Sequence, residues 1–269
     1  SYVTAARMPT EKAHGVSIAY MCEAFARLGR EVSLIVPTRF HTVKEDMWSY
    51  YGIEKSFAFE RVRSPDFIGR GYTHPLFFFV QRLIFAWKAR HAHIAPGIVY
   101  TREPEIAWTF SFSHRAVFEA HNWPSGLFGR LQAYLVRHAV RAAGLTRTLV
   151  APNGFDPEQF EKAESKEKAR ERLGIPRDAN VALYVGALDE RKGVQTLFEA
   201  SESLPADTVW VIGGTKDEIE KLSLKYPKVH FLGYHPYREI ANNLAVADVL
   251  VLPNTAKSKE SAEFTSPIK

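Results

Sequence analysis

Four short stretches bring together residue types that could hold an anion or a sugar. The first, Gly186-Ala187-Leu188-Asp189-Glu190-Arg191-Lys192-Gly193, follows an apolar run and precedes a helical pattern. A helix N-terminus at the carboxyl end of a strand attracts negative charge through its unbonded N–H groups and its dipole. Gly186 ends the strand, and Gly193 lets backbone come close to an anion. Arg191 adds a forked cation and Lys192 a point charge. The competing interpretation is a solvated loop in which Asp189 and Glu190 pair locally with those cations. The second stretch, Val211-Ile212-Gly213-Gly214-Thr215, again closes a strand and serves either a ligand or a plain tight turn. The third, Glu119-Ala120-His121-Asn122-Trp123-Pro124, puts His121 just past a strand, at the sheet edge where ligands collect. A structural histidine is the alternative there. The fourth, Lys12-Ala13-His14-Gly15-Val16-Ser17, opens a helix with a glycine but is far short of G-x-G-x-x-G.

Several other chemistries lack the residues they need. Cys22 is the one cysteine, so no intrachain disulfide or cysteine-based metal cluster can form. His91 and His93 lack the i, i+4 spacing of a zinc site, so no metal is expected. There is no G-x-S-x-G and no Walker A sequence, which removes hydrolase and P-loop readings.

The elements that must position these stretches follow from periodicity. Apolar, non-alternating runs at Val181–Val185, Thr208–Ile212, Val229–Leu232 and Asp248–Leu252 alternate with helical patterns over 193–204, 216–226 and 236–245. That repetition predicts a parallel sheet covered on both faces, a doubly wound Rossmann-like domain. The first half begins alike: a strand at Tyr2–Ala5, a loop to His14, a helix from Ser17 to Leu28, then a strand at Glu31–Val36. Further strands are expected at Ile98–Thr101 and Ala116–Ala120. The segment 38–75 reads as irregular. Ser1 reads as starting inside a strand, the interval around 110–115 as too short for a crossover, and Arg141–Gly144 as a helix running straight into Thr146–Val150, so the sequence is expected to join pieces of a longer chain. Breaker residues crowd at Pro152-Asn153-Gly154-Phe155-Asp156-Pro157. The expected domains are therefore 1–154 and 155–269, the second incomplete at its C-terminus.

Charge divides at the same place. Residues 1–150 hold 19 Lys/Arg against 11 Asp/Glu, and residues 151–269 hold 16 against 19. The basic charges are scattered and match no nucleic-acid motif, so nucleic acid is not expected as a partner. No stretch reaches a membrane span. The apolar run Pro75–Trp87, flanked by Arg70, Lys88 and Arg90, reads first as a buried helix and second as an interfacial contact. The N-terminus shows no signal-peptide pattern.

In order and spacing, these pieces resemble glycosyltransferase family 4, retaining enzymes of the GT-B fold. The resemblance covers nearly the whole chain. It rests on His14-Gly15-Val16, Leu28-Gly29-Arg30-Glu31-Val32, Phe118-Glu119-Ala120-His121 and Pro152-Asn153-Gly154-Phe155-Asp156. It continues through Tyr184-Val185-Gly186, Arg191-Lys192-Gly193, Phe231-Leu232-Gly233-Tyr234, Ala247–Pro253 and Ser266-Pro267-Ile268-Lys269.

The resemblance implies two Rossmann-like domains facing a cleft, the first binding acceptor and the second a nucleotide-sugar donor. It implies that Lys192 contacts the donor diphosphate and that the Gly15 backbone faces it. His121 would line the donor sugar, Gly233 and Tyr234 would flank the base, and Thr265 and Ser266 would hold phosphate through backbone. Gly186 and Gly213 complete the expected donor-binding set, with His121, Lys192 and Arg191 expected at the reacting centre. It further implies metal-independent transfer, no cofactor, a sugar or glycolipid acceptor, and a cytoplasmic location peripheral to the membrane. Two departures stand out. Ala187 occupies the place of the family's usual arginine. The E-x₇-E motif has Phe264 at its first position, with Glu263 one residue away. A non-catalytic nucleotide-sugar-binding protein and a sugar-nucleotide epimerase of the same fold are the alternatives.

Overall fold

A computed structural model describes residues 1–40, 43–92, 96–120, 126–142 and 156–254. The chain divides into two compact units, Ser1–Thr148 and Leu149–Lys269.

Unit 1 is built on five parallel strands: β1 (Tyr2–Val3), β2 (Ser33–Pro37), β3 (Ala58–Val62), β4 (Ile98–Thr101) and β5 (Arg115–Phe118). Their order across the sheet is β3-β2-β1-β4-β5. Order therefore reverses between β1 and β4, and in a doubly wound sheet the crevice for ligands opens at that point, past the carboxyl ends of the strands. Strand residues alternate between two cores. Tyr2, Leu34 and Val36 pack with Ile18, Ala19 and Cys22 of α1 (Ala13–Arg27) and with Met47 and Tyr51 of α2 (Met47–Tyr51). Val3, Ile35 and Val99 pack with Phe85, Ala86 and Ala89 of α3 (Pro75–His91) and with Ile106 and Phe110 of α4 (Pro104–Phe110). The last helix described in this unit is α5 (Gly126–Ala142).

Among the described residues, unit 2 holds four parallel strands, β6 (Ala182–Val185), β7 (Val209–Ile212), β8 (Val229–Gly233) and β9 (Val249–Leu250), in the order β8-β7-β6-β9. Its reversal lies between β6 and β9. Tyr184, Val209, Val211 and Val229 pack against Val194, Leu197 and Phe198 of α8 (Val194–Ser201). On the other face, Leu183, Trp210 and Ile212 pack with Ala169 of α7 (Lys166–Leu173). A short helix α6 (Pro157–Glu161) opens the described part of the unit. α9 (Lys216–Lys225) and α10 (Ile240–Leu244) complete it, α10 following a 3-10 turn at Tyr237–Glu239.

Four expectations are corrected. The first helix starts at Ala13, so Gly15 lies within its first turn and not in a loop. Residues 102–114 do accommodate a crossover, because Pro104 starts α4 in the N1 position that proline tolerates. The segment 38–75 contains α2, capped by Asp46 and closed by Gly52 in the left-handed conformation, and the edge strand β3. The run at Pro75–Trp87 extends to His91 and buries only one face. Phe85, Ala86 and Ala89 enter the core, while Leu76, Phe78 and Trp87 stay exposed.

Candidate functional site

In unit 2 the turn after β6 is shaped by its glycines. Gly193 closes a 3-10 turn at Glu190–Lys192 with φ +68 and begins α8 from there. A side chain at this position would be strained. The Tyr184 hydroxyl donates to the Ala187 carbonyl at 2.7 Å and pins the turn to its own strand. Burial is the first cause that pushes the Tyr184 phenol above its ordinary range, and the Asp189 charge adds to it. α8 has no acidic residue in its first turn and no side-chain cap. Its leading N–H groups are the orphan donors that every helix start exposes. Lys192, half-buried, forms no ion pair among the described residues. A helix start beside such an ammonium favours an anion.

The next turn along the sheet has a different character. α9 is closed by its own capping box, in which Thr215 Oγ1 accepts from the Glu218 amide at 3.3 Å and Glu218 accepts from the Thr215 amide at 2.7 Å. Asp217 and Glu218 in its first turn repel a further anion. Gly213 (φ +136) lies against the Gly186 carbonyl so closely that a Cβ would run into it, and a Cβ on Gly214 would strike the Leu188 side chain. The close approach anticipated for a ligand here is made by protein. Hydrogen bonds join the three strand ends: Gly186 donates to Ile212 O at 2.9 Å, and Gly213 donates to Gly233 O at 2.8 Å. Beyond Gly233, Tyr234 is exposed.

In unit 1 the equivalent turn runs from Thr4 to Lys12 and leads into α1, which also lacks a side-chain cap and first-turn acids. Gly15 is glycine for a packing reason. A Cβ would meet the Tyr51 hydroxyl and Thr10, and that hydroxyl both accepts from the Thr10 amide (2.8 Å) and donates to its carbonyl (3.0 Å). The Gly15 amide itself donates to Lys12 O at 2.9 Å, so the helix's unbonded amides at this end are those of Ala13 and His14. The His14 imidazole is held below the usual histidine range. Desolvation of the ring is the largest cause, although the residue as a whole remains exposed, and the charges of Lys12, Arg102 and Arg7 follow. These cations gather beside the reversal point.

Two residues at the end of β4 carried no signature in the sequence. Glu103 accepts from Thr4 Oγ1 (2.7 Å), the Ala5 amide (3.1 Å) and Thr101 Oγ1 (3.0 Å), tying β4 to β1 across the reversal. Arg102 holds Glu119 in a fork of 2.7 and 3.0 Å and reaches Ser17 of α1 at 2.9 Å. The one signal available was a charged pair directly after a strand at a sheet's carboxyl edge.

The structure thus places Gly15 in unit 1, and Gly186, Lys192, Gly213, Gly233 and Tyr234 on adjacent strand ends of unit 2. Arg191 lies in the 3-10 turn, and its side chain is outside the described residues. His121, Thr265 and Ser266 also fall outside them, as do Trp123, Glu263 and Phe264. Among the described residues no cluster of His, Cys, Asp or Glu could hold a metal ion, and no helix is long and apolar enough to cross a membrane. A shallow cavity of about 650 Å³, bordered by Gly97, Phe112 and His114, lies at the opposite, amino edge of β4 and β5.

Comparison with known proteins places these turns in a family context. Residues 165–262 match the model for glycosyl transferases group 1. The matched segment includes the β6 turn, Lys192 and the three glycine strand ends. The chain is 37% identical over 106 residues to the teichuronic acid biosynthesis glycosyltransferase TuaC of Bacillus subtilis (strain 168), covering 39% of this chain and 27% of that protein. It is 25% identical over 261 residues to a GDP-mannose-dependent monoacylated alpha-(1-6)-phosphatidylinositol monomannoside mannosyltransferase of Corynebacterium glutamicum. That match covers 93% of this chain and 63% of the relative. The chain therefore spans less than two thirds of either relative's length. Among solved structures it resembles sucrose-phosphate synthase from Thermosynechococcus elongatus, with TM-score 0.69 at 18% identity, covering 94% of this chain and 74% of that one. The likeness spans both units and shows the fold: α/β, of the GT-B type, with two Rossmann-like units.

Proposed function

We propose that this chain belongs to a nucleotide-sugar-dependent glycosyltransferase that moves a sugar to a hydroxyl acceptor with retention, in cell-envelope polysaccharide or glycolipid synthesis. The carrying observation is the β6 turn. It presents a helix start without a side-chain cap, beside Lys192, which forms no ion pair among the described residues, within the segment that matches glycosyl transferases group 1. Both relatives named above are glycosyltransferases, and one is named as using GDP-mannose.

In this reading negative charge grows on the departing diphosphate oxygen as the sugar leaves. Lys192 and the amides of α8 stabilise it, the role of preorganised donors in a low-dielectric site. Those groups do the neutralising, so transfer proceeds without a metal, and chelator leaves the rate unchanged. Residues 1–154 form the acceptor domain and residues 155–269 the donor domain. The exposed Leu76, Phe78 and Trp87 with the nearby Arg70, Lys88 and Arg90 form a peripheral contact with the inner face of the membrane.

A thermal-shift screen against UDP-, GDP- and ADP-sugars, followed by acceptor-dependent release of the nucleoside diphosphate, tests the reading. Lys192→Ala is expected to lower donor turnover at least tenfold. A hydrogen bond to a charged group contributes about 1.5–3 kcal/mol, and about 1.4 kcal/mol is a factor of ten. Undiminished turnover removes Lys192 from the site. Isomerised nucleotide sugar formed without acceptor replaces transfer with epimerisation.

A further inference from the structure

We propose that the carboxyl ends of β2 and β3 form a subsite for a phosphate monoester, held by the Arg39 guanidinium and the Ser64 hydroxyl. The site lies wholly within unit 1 and does not depend on the donor reading above.

Two buried groups there lack partners. Among the described residues, neither Nη2 of Arg39 nor Oγ of Ser64 has a hydrogen-bond partner, and both atoms are closed off from solvent. A buried donor left unsatisfied destabilises the free protein, so a ligand that satisfies it supplies what the free protein lacks. The two groups come from adjacent strand ends. β2 and β3 pair to their last residues, and the Thr38 amide carries the ladder one step further onto Val62 O at 2.9 Å. The Arg39 side chain is 6% exposed and is tethered by its other terminal nitrogen. Nη1 donates to Pro65 O at 2.8 Å and to Asp66 Oδ1 at 3.2 Å. Pro65 adjoins Ser64, so the serine hydroxyl and the guanidinium share one small neighbourhood. Asp66 also accepts from the Phe40 and Gly69 amides, both at 3.1 Å. That carboxylate therefore fixes Nη1 and leaves Nη2 as the arm for a ligand.

Charge selects an anion over a neutral polar group. Asp66 is the one acid between residues 61 and 90, against Arg61, Arg63, Arg70, Arg82, Lys88 and Arg90. Arg82 bears on Arg39 directly. Burial is the first cause that holds the Arg39 guanidinium below its ordinary value; Asp66 opposes it and the Arg82 charge adds to it. The carboxylate paired with Arg82, Glu105, is 3.8 Å away, beyond hydrogen-bond range. An arginine fork with a neighbouring hydroxyl suits the several oxygens of a phosphate. Entry requires a local opening, and residues 69–72, on the loop that carries Asp66, are exposed.

A soluble phosphorylated acceptor and a lipid phosphate would both present this group, and the test separates them. Glycerol 3-phosphate and uncharged glycerol are titrated into the full chain by calorimetry. Vesicles of phosphatidylcholine with and without phosphatidic acid are co-sedimented with it. Arg39→Lys and Ser64→Ala are run beside wild type. One phosphate-bearing probe is expected to bind at least tenfold more tightly than its phosphate-free or plain-lipid counterpart. Each variant is expected to lose about tenfold in that affinity, as for a hydrogen bond to a charged group. Ser64→Ala should leave the urea midpoint equal or higher, since it deletes an unsatisfied hydroxyl. No preference for the phosphate in either arm overturns the site. Undiminished affinity in either variant puts the anion elsewhere on the basic surface and overturns it too. A lowered urea midpoint for Ser64→Ala means that an internal water already satisfies the hydroxyl, and the proposal falls.

Discussion

Charge at single residues around the start of α1 decides how an anion there would be held. His14 is pushed below its ordinary value of about 6.5 by desolvation and by Lys12, Arg102 and Arg7, and it is neutral at pH 7. A diphosphate beside it favours the imidazolium, so binding takes up a proton and tightens as pH falls from 8 toward 6. Calorimetry across that range should show the trend, and His14→Asn should flatten it; an affinity that weakens with falling pH removes His14 from the site. The same depression costs the free protein stability as pH drops below about 6.5, because the unfolded chain then binds the proton more readily. Gly213 makes a different demand. With φ +136 and the Gly186 carbonyl where a Cβ would sit, Gly213→Ala should cost about 1–3 kcal/mol, the usual range for overpacking. A urea midpoint equal to wild type would show that the strand ends can part.

At the scale of elements, unit 2 is fastened where α7 meets the start of β9. The buried Arg170 side chain donates to Val246 O (3.0 Å), Arg177 O (2.6 Å) and Asp248 (2.8 Å). Asp248 also takes Lys166 and the Val181 amide, both at 2.8 Å. Lys166 first, then the Val181 amide and Arg170, hold its carboxyl well below the usual range although it is largely exposed. Arg170→Met leaves the carbonyl of the buried Val246 without this donor and should cost about 1–3 kcal/mol. Trp210, the one tryptophan of unit 2, reports the loss by fluorescence in urea; an unshifted midpoint contradicts the clamp. This scale also shows what the sequence could convey. Runs such as Val-Trp-Val-Ile at 209–212 pack on both faces, so composition marks them as interior parallel strands. β3 was missed because it is an edge strand whose residues are mostly exposed. The start of α1 was misplaced because Gly15 reads as a breaker, whereas its reason is the Tyr51 hydroxyl, which comes from a distant element. The β6 turn was legible because strand, glycine, cation and helix are adjacent in sequence. Arg102 and Glu103 were not, because the partners that join them to other elements, Glu119 and Thr4, lie 17 and 99 residues away.

Over the whole molecule, net positive charge and apolar exposure concentrate in the first half. Residues 1–150 carry the excess of Lys and Arg, and α3 leaves Leu76 and Trp87 exposed on the face away from its core and Phe78 exposed in its first turn. Apolar rings with flanking cations suit an anionic lipid surface. Co-sedimentation with phosphatidylglycerol vesicles should fall at least tenfold on Leu76→Glu with Trp87→Glu, since each apolar side chain contributes about 1.5–3 kcal/mol when fully buried and about 1.4 kcal/mol is a factor of ten. Equal sedimentation of wild type and variant would leave that face as ordinary surface.

The row of glycine contacts has a consequence for altering this protein. Because the Gly186, Gly213 and Gly233 ends share hydrogen bonds and backbone contact, the region expected to meet the base and the turn expected to meet the phosphates form one mechanical piece. Changes introduced at Tyr234 to redirect nucleotide preference and changes introduced at Ala187 to restore an arginine will therefore not combine as independent improvements. The two must be selected together.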